Sequence, residues 1–137
     1  CGYTAHPPHP RLDKTALGTL DYVEDEHTAT TLDAVRGLQS GGMQVWGVET
    51  TSASRSYTEV TYPRPLALVF GNEALGVDRQ VMDACDGLIE IPVFGYKNSL
   101  NVASAAAVVV FEILRQWDYE PGGRLARDGD ESELPRS

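Results

Sequence analysis

Two cysteines in 137 residues are too few for a disulfide scaffold. A chain of this length buries roughly two-thirds of its unfolded surface, so it needs neither metal nor cross-links to fold. Lysine is equally scarce: Lys14 and Lys97 are the only two among 11 basic residues, and the arginines are scattered rather than clustered. Against them stand 20 acidic residues, for a net charge of -9. That balance excludes a generic polybasic grip on nucleic acid, so any such binding must rest on a local patch. An acidic surface is also what a salt-rich cytoplasm favours. Long hydrophobic runs are missing too. The longest apolar stretch, Val102 to Phe111 interrupted by Ser104, falls short of the ~18 residues that a membrane span needs, and no N-terminal targeting segment is visible. A soluble, cytoplasmic chain without membrane association is expected. The lack of a glycosylation sequon at Asn72, Asn98 or Asn101 agrees with this. Because the chain opens at Cys1 without a methionine, it reads as a fragment.

The rest of the composition, 42% hydrophobic and 23% charged, is ordinary for one globular domain. Residues 3–20 carry three of the eight prolines and are expected to form a loop. Thr31 is placed to cap a helix with Leu32, Val35 and Leu38 on its apolar face and Gly41-Gly42 as its stop. Met43 to Val48 reads as a strand, and residues 49–65 as a polar, turn-rich connection with a short strand or helical turn inside. The continuous apolar run Leu66 to Phe70 suits a strand buried on both faces, as in a helix-covered parallel sheet. Asp78 can cap the next helix, and Leu88 to Ile91 makes another strand. Ser99 to Trp117 is apolar on nearly every side, which predicts a helix buried all round. From Asp118 the chain is acidic and poor in apolar residues, so 1–117 reads as the domain and 118–137 as a disordered or loosely attached tail. Strands and helices alternating at short spacing give an α/β fold with a mostly parallel sheet. Ligands bind such sheets at the carboxyl ends of strands, here Glu49-Thr50, Gly71-Asn72-Glu73 and Pro92 to Ser99.

Two of these ends carry candidate chemistry. Phe70-Gly71-Asn72-Glu73-Ala74-Leu75-Gly76 leaves a strand with glycines where backbone must bend or approach a ligand closely, although a plain strand-to-helix turn with a solvated Glu73 would look the same. Ile91-Pro92 followed by Asn98-Ser99-Leu100-Asn101 sets two amides and a hydroxyl at the mouth of a helix. These groups could hold a polar ligand, or Ser99 could merely cap the helix while Asn101 satisfies the loop. His6, His9 and Cys1 lack the regular second pair of a zinc site, so no metal is expected. Cys85 suits a small buried apolar side chain.

Taken together, Phe70-Gly71-Asn72-Glu73-x-x-Gly76, Ile91-Pro92 and Ser99-Leu100-Asn101-Val102-Ala103 resemble motifs two and three of the SpoU (TrmH) branch of the SPOUT RNA methyltransferases. The resemblance runs from Cys1-Gly2-Tyr3-Thr4, through Pro7-Pro8 and Lys14-Thr15-Ala16-Leu17-Gly18, to about Trp117. It implies a C-terminal deep trefoil knot, an exception to the rule of unknotted folds. It further implies methyl transfer from S-adenosylmethionine to a ribose 2′-hydroxyl of tRNA or rRNA by a homodimer. The implied cofactor-binding residues are Glu49, Thr50, Phe70, Gly71, Asn72, Gly76, Ile91, Pro92 and Leu100, and the implied catalytic ones are Glu73, Ser99 and Asn101. RNA contacts would fall to Arg11, Lys14 and Lys97, with Arg55 and Arg64 on the same face, and Ala103, Ala106 and Ala107 would permit close helix approach to a second subunit. One departure stands out: motif one, an Asn followed by an Arg, belongs upstream of Cys1, so roughly one strand and one helix are expected to be missing and the catalytic base is unnamed. A non-catalytic knotted RNA-binding or scaffold homologue is the alternative. A doubly wound nucleotide-binding domain is a third, without its Gly-x-Gly-x-x-Gly fingerprint.

Overall fold

In the computed structural model, residues 1–9, 12, 23–96 and 99–119 are described. Most of the proline-rich stretch expected to be a loop, with Lys14 to Gly18, and the acidic tail from 120 lie outside the described residues. The elements are α1 (Thr31–Ser40), β1 (Gln44–Val48), β2 (Arg55–Ser56), β3 (Leu66–Phe70), α2 (Arg79–Ala84), β4 (Gly87–Glu90) and α3 (Val102–Gln116). The four strands form one parallel sheet in the order β2-β4-β1-β3. Val48 pairs in register with Phe70 on one side and with Ile89 on the other, so the carboxyl ends of β1, β3 and β4 open at one edge of the sheet.

Strand alternation splits the core between the two faces. Trp46, Val48, Leu66, Leu68 and Ile89 join Val60, Tyr62, Val109 and Ile113 on the α3 side. Val45, Ala67 and Val69 meet Val35, Val77 and Val81 on the side of α1 and α2. Each fully buried Val or Ile contributes roughly 1.5–3 kcal/mol, so Val35, Val45, Ile89 and Val109 anchor both layers. At the opposite end of the sheet from the strand carboxyl termini, Asp86 accepts from the Val45 N–H at 2.8 Å and from Gln39 Nε2 at 3.0 Å. The Val45 bond first, and Gln39 next, hold its carboxyl below the usual range.

Several expectations shift. The cap of α1 is Thr30 rather than Thr31: its backbone is extended and its Oγ1 accepts from the Asp33 N–H at 3.0 Å, while its hydroxyl donates to Asp33 Oδ2 at 2.6 Å. With two adjacent threonines, the residue whose backbone leaves the helical region becomes the cap. β3 contacts both core layers, as its apolar run predicts, yet it is outermost in the described sheet and each of its residues is only half-buried. The last helix starts at Val102, because Asn101 caps it, and it is not buried all round. Val109 and Ile113 are covered, whereas Val102, Val108, Val110 and Phe111 are exposed, Phe111 by 64%. One sheet covers one face of a helix and leaves the other bare.

The carboxyl end of α3 is bound firmly to the 57–62 segment. Gln116 donates from Nε2 to the Val60 carbonyl and accepts from the Tyr62 N–H, and the Tyr62 hydroxyl donates to the Tyr57 carbonyl at 2.7 Å. Burial first, then the nearby Glu112 and Tyr57, push the Tyr62 phenol up to about 12. Glu112 is held down at about 2 by its hydrogen bonds from Arg115 and Gln116.

Candidate active site

A pocket of about 640 Å³ opens at the carboxyl ends of β1, β3 and β4. Three segments line it: 48–51 after β1, 70–73 and 75–77 after β3, and residues 90, 91, 93 and 99–102 between β4 and α3, with Met82 and Ala105 beside them. That volume lies within the ordinary range for a small-molecule site.

The 70–77 loop is built largely by its own backbone and by Glu49. Asn72 and Gly76 exchange two backbone hydrogen bonds, of 3.2 and 2.7 Å, and Asn72 Oδ1 accepts from the Ala74 and Leu75 N–H groups. This turn needs glycine at both ends. Gly76 sits at φ +69, and a Cβ there would lie 2.5 Å from Glu49 Oε2. A Cβ at Gly71 would collide with the backbone of Gly76 and Val77, which no side-chain movement can relieve. Glu49 comes from the end of β1, 28 residues before Val77, and closes the arrangement: Oε2 accepts from the Val77 N–H at 2.9 Å and Oε1 from the Thr50 N–H at 3.1 Å. Its backbone also bonds across the sheet, N–H to the Ile89 carbonyl, and its own carbonyl accepts from the Ser54 hydroxyl. Glu49 is therefore a bracket between two loops, and both carboxylate oxygens are engaged.

On the other side, Asn101 Oδ1 accepts from the Ala103 N–H at 2.9 Å and caps α3. The oxygen is assigned to the cap by this bond, which leaves the amide NH₂ for other partners. Ser99 and Glu73 are exposed and line the pocket, and no described residue engages the Glu73 carboxylate. Phe70, Ile91 and Leu100 give the pocket its apolar surface.

The structure thus brings together Glu49, Thr50, Phe70, Gly71, Asn72, Glu73, Gly76, Ile91, Ser99, Leu100 and Asn101. Pro92 is the exception among the candidates: it is exposed and does not line the pocket, because adjacent residues of an extended segment point to opposite sides and Ile91 and Val93 take the inward places. Val48, Thr51, Val77, Met82, Glu90, Val102 and Ala105 also line the pocket and were not among the candidates, while Val93 lies in the expected 92–99 strand end and follows from the same alternation around Ile91. The proposed RNA contacts Arg11, Lys14 and Lys97 lie outside the described residues. Arg55 donates to the Glu59 carbonyl at 2.7 Å, and Arg64 stacks over the Trp117 ring at 5.0 Å, so both side chains are engaged within the chain. Among the described residues, no helix is long and apolar enough to cross a membrane.

A parallel α/β domain with helices on both faces and a loop-built pocket at its strand ends defines the class. The chain belongs to the SpoU rRNA methylase family, whose profile matches residues 2–111. It is 36% identical over 107 residues to the tRNA (guanosine(18)-2′-O)-methyltransferase of Thermus thermophilus, a match covering 78% of this chain and 55% of that protein. Among solved structures it is similar to the A. aeolicus TrmH/SpoU tRNA modifying enzyme, with a TM-score of 0.71 and 28% identity over 78% of this chain and 54% of the other. It is also similar to an AdoMet-bound rRNA methyltransferase from Sinorhizobium meliloti, with a TM-score of 0.57 and 30% identity over 62% and 33% of the two chains. The chain spans about half the length of the curated relatives it matches.

Proposed function

We propose that this chain is the cofactor-binding and methyl-transferring part of an S-adenosylmethionine-dependent RNA 2′-O-ribose methyltransferase acting on tRNA or rRNA. The observation that carries the reading is the single pocket in which the loops of both motifs, Phe70 to Gly76 and Ile91 to Asn101, meet at the strand ends. The names of the relatives from T. thermophilus and S. meliloti support the substrate class and the cofactor.

The residues present fit the cofactor. Ile91, Leu100 and Phe70 offer an apolar slot of the kind an adenine ring needs, and open loop backbone beside them can read its polar edge. When bound, S-adenosylmethionine supplies a sulfonium methyl whose transfer to the 2′-oxygen releases a neutral thioether. The work left to the chain is orientation, removal of the 2′-hydroxyl proton and exclusion of water. Glu73, with an unengaged carboxylate at the mouth, and Ser99 and the Asn101 amide on the facing loop would position the ribose. The group that takes the proton is not assigned to any residue of this chain.

The same reading includes the trefoil knot and a homodimer. The knot rests on membership of the SpoU family. The bare apolar face of α3 supports a two-fold pairing, in which Val108, Val110 and Phe111 would meet their copies.

Calorimetric titration with S-adenosylmethionine tests the reading first, followed by transfer of labelled methyl to tRNA and rRNA transcripts and nuclease mapping of the modified ribose. Saturable binding near one site per subunit, with label at a 2′-oxygen, is expected. A folded protein that binds no cofactor, or that delivers methyl only to a base, overturns it.

A further inference from the structure

Phe94 and Tyr96 are 94% and 103% exposed, the two least covered aromatic rings among the described residues. Neither supports the core, and no described residue stacks on either of them. Their place in the fold is specific. Phe94 follows Val93, which lines the pocket, and Ser99, which also lines it, comes three residues after Tyr96. Between the rings, Gly95 adopts φ +122 with open space around it, so backbone conformation and not crowding calls for glycine there. The segment after β4 therefore carries two large, unsupported rings beside the pocket without lining it, Phe94 on the side away from Val93.

We propose that Phe94 and Tyr96 form a stacking platform for bases of single-stranded RNA adjoining the target nucleotide. The inference rests on the RNA methyltransferase reading and adds to it how the substrate is held. Unpaired bases are commonly bound by stacking on aromatic side chains, and every base has a π-face, so such a platform grips RNA without choosing a sequence. The charge balance gives this contact unusual weight. With a net charge of -9, the chain's generic attraction to phosphates is disfavoured, so non-ionic contact adds to whatever a local basic patch supplies. A second copy of the chain is the competing occupant, but a separate apolar face on α3 is available to it, whereas these rings belong to the segment whose Val93 lines the pocket.

The test uses the full-length protein, unmethylated tRNA and rRNA transcripts as probes, and the variants Phe94→Ala, Tyr96→Ala, Phe94→Leu, Tyr96→Leu, Phe94→Trp and Tyr96→Phe. Each alanine is expected to raise the RNA KM about tenfold or more, with the effect on KM rather than kcat and with S-adenosylmethionine affinity unchanged. Trp and Phe replacements restore KM. Leucine, apolar but without a π-face, does not. The slope of log affinity against log salt stays at its wild-type value, because no ionic contact has been removed. Alanine variants with unchanged KM, leucine variants as good as wild type, or dissociation of the dimer by these substitutions would overturn the platform while leaving the methyltransferase reading intact. A wild-type protein that binds cofactor yet methylates neither RNA sinks both.

Discussion

Glu49→Ala removes the bracket between the β1 and β3 loops, and its effect can be worked from two distances. The Val77 N–H, in a buried residue, loses a charged acceptor at 2.9 Å, and the exposed Thr50 N–H loses one at 3.1 Å. A hydrogen bond to a charged group contributes about 1.5–3 kcal/mol when partly buried and about 0.5–1 kcal/mol when exposed. Together they predict a loss of roughly 2–4 kcal/mol. If that falls on global stability, the melting temperature drops by about 3–4 °C per kcal/mol in a domain of this size. If it falls on the loop alone, S-adenosylmethionine affinity drops roughly 30- to 700-fold. Scanning calorimetry and cofactor titration, run on the same samples, read the two outcomes separately. Glu49→Gln keeps one acceptor oxygen and should recover part of either loss. Gly76→Ala attacks the bracket from the other side, since its Cβ would press on Glu49 Oε2 at 2.5 Å. When Glu49→Ala is already present that clash is gone and only the left-handed backbone strain, about 1–2 kcal/mol, remains, so the two substitutions should be non-additive. A Glu49→Ala protein that melts within about 1 °C of wild type and binds cofactor equally well would refute the assignment.

Other substitutions separate structural from chemical roles. Asn101→Ala should cost about 1 kcal/mol as a lost cap and abolish methyl transfer; Asn101→Asp caps equally well but lacks the NH₂, so it should restore the melting temperature without restoring activity. Tyr62, with its phenol raised from 10 to about 12, contributes stability that is complete below pH 10 and lost as pH climbs through 12. Tyr62→Phe should flatten that alkaline limb in urea titrations, at about 1 kcal/mol for the bond to the Tyr57 carbonyl; an unchanged limb would assign it elsewhere. Phe111→Asp places a charge on the bare face of α3; if the proposed two-fold pairing uses that face, sedimentation should shift from dimer to monomer with folding unaffected, and an unchanged oligomer would remove α3 from the pairing.

What was legible in the sequence was mostly local. Asp78 at the start of α2, the Gly41-Gly42 stop and the apolar run of β3 each express a preference that acts within a few residues, and each element appears where that preference put it. The pocket was legible because strand ends of a parallel sheet converge. What stayed hidden depends on partners far away in the chain. The use of Glu49 as a bracket requires knowing that Val77 lies across the pocket mouth. The exposure of Val108, Val110 and Phe111 requires knowing that only one sheet covers α3: the sequence records how apolar a face is and not what lies against it. The exclusion of Pro92 turns on the direction of one side chain in an extended segment.

These same bonds divide the pocket into two mechanical halves. On the cofactor side, the loops after β1 and β3 are joined by the Glu49 carboxylate, the Asn72 turn and the paired backbone of Asn72 and Gly76. Groups held this way are in place before a ligand arrives, so little ordering is required of them on binding. On the far side, no hydrogen bond between described residues ties positions 92–96, which carry Phe94 and Tyr96. A loop without such ties must lose conformational freedom when a base stacks on it, at roughly 1–2 kcal/mol per residue fixed. Because Ile91 and Leu100 of the proposed adenine slot flank this segment, cofactor and RNA share the ordering term, and each should favour the other. In calorimetry, S-adenosylmethionine should bind more tightly with saturating RNA than without it, and RNA association should show a large unfavourable entropy that shrinks when Gly95 is replaced by D-alanine through chemical ligation, which favours the positive φ. An RNA entropy untouched by that replacement would mean that the loop is already rigid and the division false.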